Sequence, residues 1–440
     1  MGDEVVLVTG VSGYLGSHVA KQLQEEGYRV RGTVRSLENE AKVAPLKNLV
    51  PDAKHPLELV AADLTSDEGW DKAVEGCTLV AHVASPFPDQ TNRAVPEEEV
   101  LGPAKEGTLR VLRAVAAQNG AVKRVVLTSS FAAVFGETAA DPNKKYNEED
   151  WTDPESPTLD SYTKSKAVAE KAAWDFLKEL PEEQKFELAV INPTLIFGPP
   201  LIEAHKSATS VILMANIVNK AYPGVPRVQF PVCDVRDVAK AHVKALTLPE
   251  AASNRHIILT ESLWYRDIAA SVAKEFRPQG YSIATAQLPY ALMWLAGCFN
   301  KGVRNSILPR IGKTLSVDNK RMVEVLGVEP TALDCTVQDM VYAMVDLGIV
   351  KKAKKYKQVG SRAEVPAVNG EVEEETKEGK QEEEKEKEEG EKELEPEDKE
   401  KKEDEEIKPK EDEKKEEKEA EDEKKEEEEK KEEKEKKEEK

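Results

Sequence analysis

Residues 4–35 read EVVLVTGVSGYLGSHVAKQLQEEGYRVRGTVR, and this stretch decides the fold. It opens on an apolar run rich in β-branched residues, Val5 to Val8, which reads as a buried strand. The strand runs into Gly10, Gly13 and Gly16, spaced three apart. The following segment, SHVAKQLQEEG, has the apolar spacing of a helix with Gly27 as its natural stop. YRVRGTVR then reads as a second strand. Glycines between strand and helix allow a tight turn and close backbone approach. The helix start offers free N–H groups and the positive end of its dipole to a phosphate. The pattern therefore predicts a dinucleotide site at the first strand–helix turn.

The alternation continues downstream. LELVAADL, CTLVAHVAS, RVVLTSS and ELAVINPT are short apolar strands separated by helical segments such as GTLRVLRAVAAQNG. Continuous apolar strands alternating with helices predict an α/β fold, a Rossmann-type doubly wound parallel sheet covered on both faces. Ligands of such sheets sit beyond the carboxyl ends of the strands, where TG, ASP, TSS and NPT fall here. We expect residues 1–198 to form this dinucleotide-binding domain. Residues 199–356 would form a smaller C-terminal substrate lobe, with 228–260 crossing back to the sheet. YALMWLAGCF, at 290–299, is too short to span a bilayer and reads as a buried or substrate-lining helix.

Charge divides the chain unevenly. The 440 residues carry a net −21, yet residues 371–440 alone hold 39 acidic residues against 21 lysines, a net of −18. What precedes them is close to neutral. A segment so charged buries too little surface to offset its ordering entropy, so 357–440 is expected as a non-globular tail, disordered or a single helix held by Glu–Lys pairs. It could serve as a solubilising arm or as an acidic arm for a basic protein partner. Mixed charge argues against nucleic acid. No membrane partner is expected. Four scattered cysteines without metal spacing predict reduced thiols, a cytoplasmic location and no metal site.

The end of the second strand chooses the cofactor. An NAD site places a carboxylate there for the ribose 2′-hydroxyl. This chain has Arg35 instead, with Lys42 seven residues on, and a guanidinium suits a 2′-phosphate in charge and geometry. NADP(H) is therefore the expected cofactor. Asp63 and Leu64 stand at the end of the third strand, where an adenine would be held, although an Asp there also serves as a turn or cap.

LDSYTKSKAVAEKAAW puts Tyr162 four residues before Lys166, on one face of a predicted helix. A phenol ordinarily titrates near pH 10, and a neighbouring ammonium favours its ionised form. Such a pair can give a proton to an oxyanion or take one from an alcohol. Ser130 in LTSSFAAVF can donate to the same oxygen, with Ser129 as the competing choice.

On TGVSGYLG, LTSS, YTKSK and INPTLIFGP, in this order and spacing, the chain resembles the extended short-chain dehydrogenase/reductases. RGTVR, TSSFAAVF, AEKAAWDFL, VRDVAKAH and DNKRMVEVLG make it similar to the branch of dihydroflavonol, cinnamoyl-CoA and methylglyoxal (carbonyl) reductases. The resemblance implies an NADPH-dependent reductase of a small carbonyl substrate, an aldehyde or ketone, with Ser130, Tyr162 and Lys166 as catalytic trio. It also implies cofactor contacts from Gly10, Ser12, Gly13, Tyr14, Leu15 and Gly16. Arg35 and Lys42 would hold the 2′-phosphate, and Asp63 and Leu64 the adenine. Ala84, Ser85, Pro193 and Ser210 would line the rest, together with Tyr162 and Lys166. Cinnamoyl-CoA reductases carry an Asn-Trp-Tyr-Cys-Tyr run that LDSYTKSK lacks, which speaks against CoA thioesters. Two other readings use the same residues: an epimerase or dehydratase that retains its nicotinamide, and a dinucleotide-binding scaffold whose tail recruits partners.

Overall fold

The structure, a computed structural model, describes residues 4–85, 97–136, 141 and 143–357. The glycine-loop stretch folds into β1 (Val5–Thr9), α1 (Tyr14–Glu25) and β2 (Arg29–Val34). There follow α2 (Glu40–Leu46), β3 (Glu58–Ala61), α3 (Trp70–Val74), β4 (Leu79–His82), α4 (Glu98–Ala116) and β5 (Arg124–Thr128). After a two-residue strand, β6 (Lys145–Tyr146), come α5 (Ser161–Glu179), β7 (Glu187–Pro193), β8 (Leu195–Phe197) and α6 (Thr209–Val218). Next are β9 (Gln229–Asp234), α7 (Val235–Thr247), β10 (Arg255–Ile258), β11 (Glu261–Trp264) and α8 (Tyr265–Phe276). The described part closes with α9 (Tyr290–Phe299), β12 (Ser316–Val317), α10 (Lys320–Glu324) and α11 (Leu333–Asp346).

Seven strands form one parallel sheet in the order β3-β2-β1-β4-β5-β7-β10. From β1 the chain winds outward to β3, then returns to add β4 on the other side. The switch point is therefore between β1 and β4, where Thr9 pairs His82. Alternation along the strands feeds two cores. Val6 and Val8 of β1 join Val19, Leu23, Val238 and Ala241 from α1 and α7. Leu7 points the other way, with Trp70, Val111 and Leu112 from α3 and α4. Both faces are covered, which is why these strands carry no polar alternation. Each fully buried Val or Leu contributes roughly 1.5–3 kcal/mol of transfer free energy.

A three-stranded sheet, β11-β9-β8, is partly antiparallel and packs on α6, α8 and α11 through Phe197, Met214, Val272, Phe276 and Met340. The stretch expected to cross back divides at its middle. β9 stays in the small sheet, whereas α7 packs on α1 and β10 pairs β7 as the last strand of the large one. A bridge unsignalled in the sequence joins β6 to β12, with Lys145 opposite Ser316.

The apolar segment read as buried or substrate-lining lies elsewhere. In α9 only Met293 and Gly297 are buried, and Tyr290, Leu292, Trp294, Leu295 and Phe299 are exposed, the last to 87%. Hydropathy alone gave no means of placing it. Among the described residues no helix is long and apolar enough to cross a membrane. Beyond Lys357, the acidic tail and the conformations expected for it lie outside the described residues.

Candidate active site

The first turn after β1 is built as its glycines require. Gly10 takes φ +67°, in the left-handed region, and a Cβ there would stand 2.9 Å from the Cβ of Ala84. A Cβ on Gly16 would approach the Gly10 carbonyl to 2.4 Å. The loop therefore lies flat against β4 and against its own helix. Gly13 caps α1 without any side-chain hydrogen bond. Gly10 N–H donates to Thr33 Oγ1 (2.9 Å), and Ala84 N–H donates to Thr9 Oγ1 (2.9 Å). These bonds fix the mouths of β1, β2 and β4 to one another. Ser12 is half-buried, Gly13 is exposed and Leu15 is buried. The Tyr14 phenol donates to the Gly198 carbonyl (2.6 Å), and its ring meets His205 edge-on. Tyr14 thus ties the loop's helix to the start of the lobe, with its phenol held protonated by burial. A flat backbone cradle beside a helix N-terminus capped by a glycine fits a dinucleotide pyrophosphate.

Tyr162 enters on the first turn of α5. Asp160 caps that helix, accepting from Thr163 N–H at 2.8 Å, which fixes where the turn begins. Ser130 lies two residues past β5 and caps a 3₁₀ turn, Phe131–Ala133, where its Oγ accepts from Ala132 N–H (3.1 Å). The Ser130 hydroxyl also hydrogen-bonds the Tyr162 phenol. Ser129 turns inward instead, donating to Glu170 Oε2 at 2.5 Å. Of the two serines, Ser130 is thus the one at the phenol.

Lys166 follows one helical turn on. Its Nζ stands 5.8 Å from the Tyr162 ring centre and donates to Ser85 Oγ (3.0 Å), beyond β4. The electrostatics differ from the sequence expectation. Burial pushes the Tyr162 phenol up from its ordinary value, opposed by the Ser130 hydrogen bond and reinforced by Asp160. The depression expected from Lys166, although its Nζ stands over the ring, is outweighed by that burial. Burial lowers Lys166 itself to about 8. Desolvation therefore outweighs charge pairing, leaving a protonated phenol beside a mostly charged lysine at neutral pH. His18, His82, His205, His242 and His256 are pushed by burial to between about 3 and about 4, so none of these is poised to exchange a proton near pH 7.

Behind the trio lies a buried network. Glu170, a further turn along α5, accepts from Ser129, from Asn192 Nδ2 (2.8 Å) and from Arg255 Nε (2.5 Å). Asn192 Nδ2 also reaches the Ser130 carbonyl (3.1 Å). Arg255 holds the carbonyls of Glu148 (2.9 Å) and Asp150 (2.5 Å) and lies 3.8 Å over the Trp151 ring. The sequence reading missed Glu170, Asn192 and Arg255. Glu170 had a signal, since it continues the Tyr162–Lys166 face at the next i+4 position. Arg255 comes from β10, and nothing local announces it.

Arg35 is exposed just past β2, and its charge helps hold the Asp63 carboxyl below its usual range. The larger cause is Thr65, whose N–H and hydroxyl both donate to Asp63 Oδ1 at 2.8 Å. Asp63 is therefore the turn former that the plainer reading allowed, and it sits near Arg35. Leu64 is buried in the core cluster under β3. Lys42 is half-buried on the first turn of α2, Pro193 ends β7, and Ser210 is buried in the first turn of α6. Among the described residues no side-chain hydrogen bond or ion pair ties Lys42 or Ser210 to either group. A cavity of about 410 Å³ lined by Gln229, Thr260, Glu261, Ser262, Ser316 and Asn319 shares no residue with the trio. Among the described residues no group of His, Cys, Asp or Glu is arranged to hold a metal ion.

A parallel sheet with its switch point beside a glycine loop, and a Ser–Tyr–Lys group at its carboxyl edge, defines a dinucleotide-dependent enzyme of the extended short-chain dehydrogenase/reductase type. The chain belongs to the NAD dependent epimerase/dehydratase family, whose profile matches residues 6–259. It is similar to cinnamoyl-CoA reductase 1 of Petunia hybrida, 37% identical over 287 residues, covering 65% of this chain and 80% of that one. Among solved structures it is similar to Gre2 of Candida albicans in complex with NADPH. There the identity is 30% and the TM-score 0.64, over 78% of this chain and 99% of the other. The yeast methylglyoxal/isovaleraldehyde reductase Gre2, also complexed with NADPH, matches at 28% identity and TM-score 0.63, with coverage of 78% and 99%. Both structures contain the cofactor expected from Arg35.

Proposed function

We propose that this chain is an NADPH-dependent reductase that converts the carbonyl of an aldehyde or ketone to an alcohol. The observation that carries the proposal is the Ser130–Tyr162 hydrogen bond, formed beside Lys166 at the mouth of β5, with only β4 between that strand and the one feeding the glycine loop. NADPH supplies the hydride when bound. Ser130 orients the substrate oxygen. Tyr162, kept protonated by its burial, gives its proton to that oxygen as negative charge develops. The Lys166 ammonium stabilises the phenolate left behind and holds the nicotinamide ribose. Glu170 and Arg255 keep the serine turn and α5 in register.

A pH dependence follows from Lys166. Its charged form persists below about 8 and is lost above it. Because the phenolate left by proton transfer needs that charge, kcat for reduction is expected to fall as pH rises through about 8. A kcat that rises steadily across that range would contradict the role of the lysine.

Arg35 supports the cofactor choice. Charge-assisted hydrogen bonds to a phosphate are worth about 1.5–3 kcal/mol. Arg35→Ala is therefore expected to weaken NADPH binding roughly 10–100-fold while leaving NADH binding near its original value. Measured dissociation constants for both cofactors check this, and equal losses for both would remove Arg35 from the 2′-phosphate. The same arginine weighs against the cofactor-retaining epimerase or dehydratase reading. A carbonyl panel of methylglyoxal, aromatic aldehydes, diketones and flavonoid-type ketones, scored by NADPH consumption, tests the substrate class. The acidic tail as an arm for a basic protein remains a separate proposal, to be examined by pull-down from full-length and tail-truncated chains.

A further inference from the structure

Five of the nine large hydrophobic side chains exposed on the described surface belong to one ten-residue helix, α9. Tyr290, Leu292, Trp294, Leu295 and Phe299 point away from the core. The helix rests on residues 303–310, with Leu308 and the backbone of Arg304 against Gly297. The segment leading into α9 is tied to Val225, which exchanges backbone hydrogen bonds with Ala286 and Leu288 (both 2.9 Å), and Tyr222, three residues before it, is also exposed. The same surface is held together further along by Gly312 N–H donating to the Arg227 carbonyl (2.8 Å).

Its charge is equally one-sided. Residues 278–317 contain no Asp or Glu, and neither do residues 204–233, in a chain with 85 acidic residues. The first of these stretches contributes Lys301, Arg304, Arg310 and Lys313; the second contributes Lys220 and Arg227, its Lys206 being paired with Glu203. Lys301, Arg304 and Lys313 are exposed, and no carboxylate among the described residues pairs with them.

We propose that α9 and the basic turn after it form a docking surface for an anionic lipid bilayer, with the helix lying in the headgroup boundary. Ten residues of helix span about 15 Å, half of the hydrocarbon thickness, so α9 can lie on a membrane but not cross it. The expectation of no membrane partner considered spanning and lipid anchoring, not a helix lying on the surface. Tyr and Trp favour the interfacial zone, and flanking Lys and Arg reach the phosphates. A second copy of the chain fits less well, because a symmetric contact would set the basic turn against itself. The acidic tail also fits less well, since residues 371–440 hold four apolar side chains outside proline and cannot cover this face. The tail's repulsion from an anionic surface is screened within about a Debye length, roughly 8 Å, so local contact decides.

The test is co-sedimentation of the full-length protein with vesicles of phosphatidylcholine containing or lacking phosphatidylserine, at low and high salt. Expected are recovery with the phosphatidylserine vesicles, weakening by salt, and a blue shift of tryptophan emission. Each basic residue near such a surface contributes about fivefold to partitioning. Lys301→Glu with Arg304→Glu should therefore lower it at least ~10-fold, and Trp294→Glu with Leu295→Glu comparably. Unchanged NADPH binding would show that the exposed substitutions leave the fold intact. No recovery with either vesicle, or recovery undiminished in both variants, overturns the proposal. So does a dimer that dissociates on Trp294→Glu while no vesicle is bound, which would assign the face to a second copy.

Discussion

Replacing Tyr162 by Phe is expected to lower kcat roughly 10²–10⁴-fold, the range that a positioned general acid contributes. NADPH affinity should change little, since the substitution removes one hydroxyl and leaves the glycine loop, Arg35 and Lys166 in place. The expectation rests on the phenol being the protonated group at the mouth of β5: burial raises it, Ser130 binds it, and the buried histidines are neutral. Ser130→Ala should also lower kcat, by less, because the acid remains and only its alignment is lost. Steady-state rates on a responsive carbonyl, with cofactor binding measured separately, check both. A Tyr162→Phe enzyme of undiminished kcat would leave the proton without a donor.

The second large effect concerns stability. The Glu170 carboxylate is fully buried and shares its oxygens among Arg255, Ser129 and Asn192. Removing one partner of a buried ion pair leaves an uncompensated charge and costs about 3–5 kcal/mol. Arg255→Ala is expected to do this, and it also frees the carbonyls of Glu148 and Asp150 that lead toward α5. Glu170→Ala should match it in stability and additionally lower kcat, because the Ser129–Ser130 turn loses its anchor. Replacing both partners with apolar residues, Glu170→Leu with Arg255→Met, should recover much of the loss, since a packed apolar pair is often as stable as a buried ionic one. Chemical denaturation of the single and double variants supplies the numbers. A single variant within about 1 kcal/mol of the parent would show that the network carries no such load.

Much of this architecture was legible in the sequence, because its signals are local. The run from Val5 to Val34 reads as strand, glycine turn, helix and strand from residue types alone, and Gly27 stops α1 with φ +86°. Tyr162 and Lys166 share a face through helix periodicity. What failed to show was set by distant partners. Ser129 and Ser130 are neighbours of identical chemistry, and only the 3₁₀ turn with buried Glu170 separates their directions. The sign of the Tyr162 shift depends on how much protein surrounds the phenol, which a spacing does not reveal. The segment 290–299 is as apolar as a core helix, and only the fold leaves it outside.

One measurement tests the central claim most directly. Purified full-length protein is given NADPH and a carbonyl from the responsive class, and cofactor consumed is compared with alcohol formed. The account expects one alcohol for each NADPH oxidised, with deuterium passing from labelled cofactor to the carbinol carbon. An isomerised or dehydrated product with no net loss of cofactor, or NADPH that binds tightly and is never oxidised by any carbonyl, would contradict it.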